Sequence, residues 1–273
     1  MKVGSITIEA GGPLFLLAGP CVIEDDKAPF AIARELAELT GELGIPFVFK
    51  ASYDKANRTS IDSFRGPGPE EGLALLAAVR EEVGVPVMTD IHEPEHAALA
   101  AGKVDMVQIP AFLCRQTDLL VAAGKSGCAV NVKKGQFVAP WDIGWSIEKV
   151  RSTGNEKVLV TERGVSFGYN TLVNDMRAIP EMAKFGAPVV FDATHSVQKP
   201  SFAGGKSGGD RTMAPLLARA AVAAGCDGVF AETHPDPDNA LSDGPNMIPL
   251  GEMRAMIRSL LAIRRALDEE QGR

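Results

Sequence analysis

The chain has 273 residues, a formal net charge of −7 and a hydrophobic content of 45%. This length is normal for one α/β barrel, and the composition is that of a globular protein. The acidic balance argues against general nucleic-acid binding, which requires an excess of Lys and Arg to neutralise phosphates. The four cysteines form no CxxC pair and no small-domain disulfide framework. We therefore expect reduced thiols and a cytoplasmic location.

The chain shows neither of the usual membrane signals. Residues 1–12 lack the apolar segment of a secretory signal, and no apolar run reaches the length of a transmembrane helix. We therefore expect no association with a membrane.

Short β-branched runs alternate along the chain with longer stretches of helical period. The predicted strands are residues 14–18, 47–50, 85–89, 106–109, 129–132, 158–161, 189–192 and 229–232. The predicted helices lie near residues 27–43, 70–83, 93–101, 115–124, 142–153, 172–186, 210–224 and 250–270. Strands that alternate with helices indicate parallel pairing with right-handed crossovers.

Eight such units without a linker predict an α/β fold, a single (β/α)8 TIM barrel domain over residues 1–273. An open doubly wound sheet is the structural alternative. It should carry a Gly-rich dinucleotide-binding turn after the first strand, and residues 19–24 (GPCVIE) do not form one. Residues 2–9 alternate in polarity and predict a short N-terminal β-hairpin that covers the bottom of the barrel.

Polar side chains are concentrated at the C-terminal ends of the predicted strands, where α/β barrels place their active sites. In strand order these residues are Cys21, Lys50, Asp90 with His92, Gln108, Lys133 with Lys134, Arg163, His195 and Glu232. The strand starts carry only small or apolar residues, so the two ends of the predicted barrel differ in chemistry.

Five cations would converge on this rim: Lys50, Lys55, Arg58, Lys133 and Arg163. Such a cluster repels itself unless it receives anions. Its charge suits two phosphoryl groups, or one phosphate and one carboxylate, which Arg binds through paired hydrogen bonds. The alternative interpretation is that some of these cations are solvated surface charges.

A second group on the rim combines a thiol, an imidazole and two carboxyls: Cys21, His195, Glu232 and Asp243. The first and last strands of a closed barrel are neighbours, so these side chains can meet. This donor set suits a divalent ion such as Zn, Fe, Mn or Co. The alternatives are a buried apolar role for Cys21 and a core role for His195, and either His92 or His234 could replace a ligand.

Nine strings carry a family resemblance in consistent order: LLAGPCVIE, FKASYDKANRTS, TDIHE, VQIPAFLCRQTDLL, NVKKGQF, TERGVSFGYNTLVNDMR, FDATHSVQ, ETHPDP and SDGPN. Over nearly its whole length the chain resembles the 3-deoxy-D-manno-octulosonate 8-phosphate (KDO8P) synthase family. The resemblance implies a homotetrameric TIM-barrel transferase. Such an enzyme condenses phosphoenolpyruvate (PEP) with arabinose 5-phosphate and water to give KDO8P and phosphate for lipopolysaccharide biosynthesis.

The sister family, the DAHP synthases, uses erythrose 4-phosphate and typically reads Lys-Pro-Arg-Thr where residues 55–59 read KANRT. This string is similar to the arabinose 5-phosphate type. The cysteine of the GPC string, Cys21, resembles the metal-dependent class, and His195, Glu232 and Asp243 match its remaining ligands. A condensation of the DAHP type and a non-catalytic phosphosugar-binding barrel remain as alternatives.

The resemblance also implies roles for single residues. Lys133 and Arg163 would hold the PEP phosphate, and their helpers would be Lys55, Lys50 and Gln108. Arg58 and Thr59 would hold the sugar phosphate, which Arg115 would reach across a subunit boundary. The candidate catalytic residues are Asn57, Asp90, His195 and Lys55.

Overall fold

The computed structural model describes residues 1–58, 60–203, 206–270 and 272. Over these ranges, eight parallel strands alternate with eight α-helices. The strands are β1 (Phe15–Gly19), β2 (Phe47–Lys50), β3 (Val87–Asp90), β4 (Met106–Ile109), β5 (Ala129–Lys133), β6 (Val158–Glu162), β7 (Val189–Asp192) and β8 (Gly228–His234). The helices are α1 (Ala28–Leu43), α2 (Pro69–Val83), α3 (Pro94–Ala100), α4 (Thr117–Lys125), α5 (Gly144–Arg151), α6 (Ala178–Ala183), α7 (Ala214–Ala223) and α8 (Met253–Glu270).

The strands form a closed ring in chain order. Each strand pairs in parallel with the next, from β1 to β8. The ring closes because Gly228 of β8 lies opposite Phe15 of β1. The (β/α)8 TIM barrel predicted from the sequence is therefore confirmed, and the open doubly wound sheet is excluded.

Local sequence explains both the strands and the helix ends. Every residue from Phe15 to Gly19 is buried because helices cover the outer face of the ring while side chains fill its interior. Gly44 caps the C-terminal end of helix α1 and Gly84 that of helix α2, both in the left-handed conformation that glycine adopts without steric cost. The Gly-x-Pro segments that follow then lead into β2 and β3.

The N-terminal hairpin pairs Lys2–Val3 with Ile6–Thr7 in antiparallel register. Val3, in the first of these strands, and Ile8, just after the second, join the core cluster that fills the lower barrel interior. The barrel residues of this cluster are Phe15, Leu17, Val48, Met88, Met106, Ala129, Leu159, Val190 and Phe230. The hairpin therefore covers the bottom of the barrel, as the sequence predicted.

One predicted helix is wrong in extent. Residues 172–186 were expected to be helical, but α6 covers only Ala178–Ala183. Leu172–Val173 instead pairs with Val165–Ser166 across a turn in which Gly168 and Asn170 have positive φ. Glycine and asparagine tolerate that conformation, so the turn and its β-branched flanks favour a hairpin. No helix in the described part of the chain combines the length and apolar character needed to cross a membrane.

Candidate active site

A cavity of about 980 Å³ opens at the C-terminal ends of the barrel strands. The predicted site residues that line it are Lys50, Lys55, Asn57, Arg58, Asp90, Gln108, Lys133, Arg163, His195, Glu232 and Asp243. Cys21 is buried beside this cavity, whereas Arg115 is exposed outside it. Thr59 lies outside the described residues.

The alternation of side chains along each strand explains why polar groups collect at this end. Met88 points into the lower interior core, so Asp90, two residues later on β3, points into the same interior at the cavity. On β4 the same step leads from Met106 to Gln108. One barrel interior therefore has an apolar lower half and a polar upper half.

Three of the four predicted metal ligands cluster tightly. The ligand atoms of Cys21, Glu232 and Asp243 all lie within 4.8 Å of one another. The Nε2 atom of His195 lies 3.6 Å from Glu232 Oε2 and 3.7 Å from Asp243 Oδ2. The four predicted ligands therefore meet in one place, although they come from distant parts of the sequence.

The environment of Glu232 fits a bound cation. Its Oε2 atom is buried and has no hydrogen-bond partner among the described residues. Burial alone would raise the pKa of this carboxyl, but the charges of His195, Lys55 and Lys50 hold that pKa well below its usual range. A charged, buried oxygen without a donor, set between a thiol and an imidazole, has the chemistry of a divalent-metal ligand.

His195 is held in the orientation that a ligand requires. Its Nδ1 lies 2.7 Å from Asp192 Oδ2, so the N–H on that nitrogen is directed to a carboxylate. In the neutral imidazole, the form that binds metal, the lone pair of Nε2 then faces Glu232 and Asp243. The sequence pattern predicts Asp192 only as the last residue of a strand, so the predicted site lacks it. Its position at a C-terminal strand end was the signal that could have revealed it.

The alternative histidine ligands do not join this group. His92 Nε2 lies 3.0 Å from Asp90 Oδ2, and His234 Nε2 lies 3.7 Å from Glu24 Oε2. Both imidazoles are therefore directed to other carboxylates.

The lysines of the rim have carboxylate partners. Lys50 Nζ lies 3.1 Å from Glu232 and 3.8 Å from Asp90, and Lys133 Nζ lies 2.6 Å from Asp192. The Lys50–Glu232 contact connects a predicted PEP-binding residue directly to a predicted metal ligand, and Asp192 links Lys133 to His195.

The two arginines differ from the lysines. In the described ranges neither Arg58 nor Arg163 has a carboxylate within ion-pair distance. Arg58 Nη1 donates to Ser242 Oγ at 2.7 Å, and Arg163 Nη2 donates to the His195 carbonyl at 2.9 Å and to Gln198 at 2.6 Å. Their positive charge is therefore available to an anion in the cavity.

Burial makes the site receptive to anions. It lowers the pKa of Arg163 and also that of Lys133, although Asp192 and Glu232 act in the opposite direction on Lys133. A bound phosphate would stabilise the charged form of both side chains, so part of their desolvation cost would be offset when the ligand binds.

Asp90 is a fixed carboxylate at the cavity wall. It accepts a hydrogen bond from Ser52, and its other oxygen contacts His92. Burial would raise its pKa, but Lys50, His92 and Lys55 together hold that pKa well below the usual value. Ser52 and His92 thus orient a charged acceptor, which the sequence alone did not show. Asn57 lies nearby on an exposed turn of the cavity.

The fold and this rim define an α/β barrel with a cavity lined by lysines and arginines beside a cluster of Cys, His, Glu and Asp side chains. The chain belongs to the DAHP synthetase I family, whose model matches residues 2–268, and within it to the KDO8P synthase branch.

Three relatives in that branch, each named 2-dehydro-3-deoxyphosphooctonate aldolase, illustrate the similarity. The protein from Geobacter metallireducens is 56% identical over 263 residues, which cover 96% of this chain and 97% of the relative. The protein from Nitratidesulfovibrio vulgaris (strain DP4) is 61% identical over 249 residues, 91% of each chain. The protein from Brucella ovis is 56% identical over 265 residues, 97% of this chain and 96% of the relative. The family predicted from the sequence motifs is confirmed.

Proposed function

We propose that this chain condenses PEP with D-arabinose 5-phosphate and water, giving KDO8P and inorganic phosphate for lipopolysaccharide biosynthesis. The observation that carries the proposal is the cavity itself, in which Arg58 and Arg163, which form no ion pair with any described carboxylate, lie beside the metal-type cluster. The relatives' printed names support the same activity. Residues 1–273 would act as one catalytic domain, and the four free, buried cysteines support a cytoplasmic location.

The cavity offers separate positions for two anionic substrates. Arg163 and Lys133 would hold the PEP phosphate near His195, with Lys50, Lys55 and Gln108 around the rest of PEP. Arg58, on the loop after β2, would hold the sugar phosphate with Thr59. Binding both substrates in a reactive arrangement can lower a barrier by about 7–11 kcal/mol in favourable cases.

The remaining polar groups would manage protons and water. Asp90 stays charged, so it is suited to accept a hydrogen bond from water or from a substrate hydroxyl. Asn57, Lys55 and His195 face the same cavity and would position the aldehyde end of the sugar.

Cys21, His195, Glu232 and Asp243 would hold a divalent Zn, Fe, Mn or Co ion. When bound, this ion supplies Lewis acidity towards an oxygen atom.

A coupled assay tests the proposal. PEP should release phosphate only when arabinose 5-phosphate is added, and erythrose 4-phosphate should support little release. Preference for erythrose 4-phosphate would favour the DAHP-type alternative. Binding of both substrates without any phosphate release, in the metal-loaded protein, would favour a non-catalytic phosphosugar-binding barrel.

We also propose a homotetramer in which Arg115 reaches the site of a neighbouring subunit. Arg115 is exposed, and its carbonyl accepts a hydrogen bond from Lys149 on α5. Phe112 precedes Arg115 by three residues and is 56% exposed. Trp141 and Trp145, which lie just before and within the helix that carries Lys149, are 63% and 65% exposed. Large aromatic side chains exposed together are typical of a surface that another protein covers.

Arg115→Ala is expected to raise KM for arabinose 5-phosphate by about tenfold, because a charge-assisted hydrogen bond to phosphate is lost. KM for PEP should stay unchanged in steady-state kinetics. The matched control is Arg177→Ala, which removes an exposed arginine paired with Asp175.

Mixed oligomers provide a sharper measurement. Arg115→Ala subunits combined with inactive Arg163→Ala subunits should recover activity, since the latter supply Arg115 to intact sites. Failure of this complementation would argue against a shared site.

A further inference from the structure

Three buried polar side chains form a hydrogen-bonded row across the barrel, directly below the cavity. Gln108, Asn131 and Thr161 lie on the adjacent strands β4, β5 and β6. Thr161 Oγ1 donates to Asn131 Oδ1 at 2.7 Å, and Asn131 Nδ2 donates to Gln108 Oε1 at 3.1 Å. Asn131 and Thr161 are completely buried, and Gln108 is 4% exposed. Of the three, only Gln108 lines the cavity.

The row occupies the boundary between the apolar and polar halves of the barrel interior. Each member follows, two positions later on its strand, an apolar residue of the lower core: Met106, Ala129 and Leu159 respectively. The three side chains therefore point inward at the same level. Asn131 and Thr161 are too deeply enclosed to touch a substrate, so their role must be exerted through Gln108.

The direction of these hydrogen bonds decides which end of the Gln108 amide faces the cavity. Its oxygen is engaged by Asn131, so the Nε2 donor group is the end left for a ligand. If the row were reversed, Gln108 Nε2 would donate to Asn131 Oδ1, and the Gln108 carbonyl oxygen would face the cavity. A carbonyl oxygen placed against a phosphate or carboxylate is repulsive.

Thr161 prevents the reversal. Among the described residues, Asn131 Oδ1 is the one acceptor that its hydroxyl contacts. In the reversed row Asn131 would present its NH2 group, and the buried hydroxyl proton would lose that acceptor. An unsatisfied buried donor is costly, and the cost is larger in the low-dielectric interior. The hydroxyl therefore selects one orientation for both amides.

We propose that Thr161 and Asn131 are positioning residues that hold Gln108 with its donor end towards an anionic substrate. The inference rests on the proposed function, since the anion we assign to this position is PEP. It explains why a hydrogen-bond donor, rather than an acceptor, faces the cavity at Gln108. The cause is the Thr161 hydroxyl, which is two side chains away from the ligand.

Thr161→Val tests the inference, because valine keeps the shape of threonine and removes only the hydroxyl. We expect KM and Kd for PEP to rise by about tenfold, because one charge-assisted hydrogen bond to PEP is lost. The value of kcat should change little, since the lost contact binds substrate and transition state alike. Thr161→Ser, which keeps the hydroxyl, should restore the wild-type values.

A double-mutant cycle separates positioning from general damage. In a Gln108→Leu background, Thr161→Val should cause no further loss of PEP affinity, because no amide remains to be oriented. Equal losses in both backgrounds, or an unchanged PEP affinity in Thr161→Val alone, would overturn the inference. If Thr161→Val does not fold, the double variant Thr161→Val/Asn131→Leu replaces both partners by apolar groups and should show the same loss. Wild-type protein that binds no PEP would instead refute the proposed function.

Discussion

Removal of the proposed divalent ion by chelation is expected to abolish turnover, and addition of Mn, Zn, Fe or Co should restore it. Lewis-acid stabilisation of several kcal/mol corresponds to a rate loss of about 10²–10⁴-fold. The chelated protein should keep its fold by circular dichroism, because the barrel core is separate from the ligand cluster. Full activity after exhaustive chelation, with metal absent by elemental analysis, would contradict the metal-dependent assignment.

A matched pair of variants tests whether Glu232 is a ligand of the metal. Glu232→Gln should lose bound metal, since an amide is a poor replacement for the buried carboxylate between Cys21 and Asp243. Glu24→Gln makes the same substitution beside another imidazole, that of His234, and keeps an acceptor for the Leu241 N–H. It should retain metal. Equal metal loss in both variants would indicate a general effect of rim charge.

The barrel could be predicted because its strands and helices are specified locally. Residues 47–50, 106–109 and 189–192 were predicted with the bounds of β2, β4 and β7. Fully buried parallel strands need continuous apolar or β-branched runs, and the Gly-x-Pro segments mark their beginnings. The start of α6 could not be predicted in the same way, because the hairpin before it depends on a turn at Gly168 and Asn170.

Most of the predicted site residues lie together, because the C-terminal strand ends of a closed barrel meet at one rim. Arg115, which is outside the cavity, is the exception among the described ones. The pairings of the site residues could not be predicted. Whether Lys133 contacts Asp192, or Thr161 orients Asn131, depends on the register between neighbouring strands and on side-chain direction. Neither the register nor the side-chain direction can be read from the residue pattern of a single strand. The sequence therefore predicted most of the groups that line the cavity, whereas the contacts among them are visible only in the structure.

Asp192 is the clearest example of a side chain that holds others in place. The Asp192→Asn variant is expected to have a lower metal affinity and a lower free energy of unfolding. Asp192 Oδ1 accepts from the backbone N–H groups of Thr194 and His195 and from the Thr194 hydroxyl. An asparagine must keep its oxygen there, so its NH2 group would face Lys133 and His195, two groups that now donate to Oδ2.

The imidazole would then have to accept at Nδ1, which moves its proton to Nε2 and removes the lone pair needed for metal. Loss of an orienting carboxylate typically weakens metal binding by about 10–100-fold. Lys133 would also lose its buried counter-ion, at a cost of about 3–5 kcal/mol in the free energy of unfolding.

Metal titration and urea unfolding measure the two effects separately, and Asp227→Asn is the control that distinguishes them. Asp227 is also buried, but it lies at the opposite end of the barrel, where its two oxygens accept from the N–H groups of Gly11 and Val189. Its substitution should lower stability and leave metal affinity unchanged. If Asp192→Asn binds metal as tightly as wild type, the imidazole does not depend on this carboxylate. The account of His195 as an oriented ligand would then be wrong.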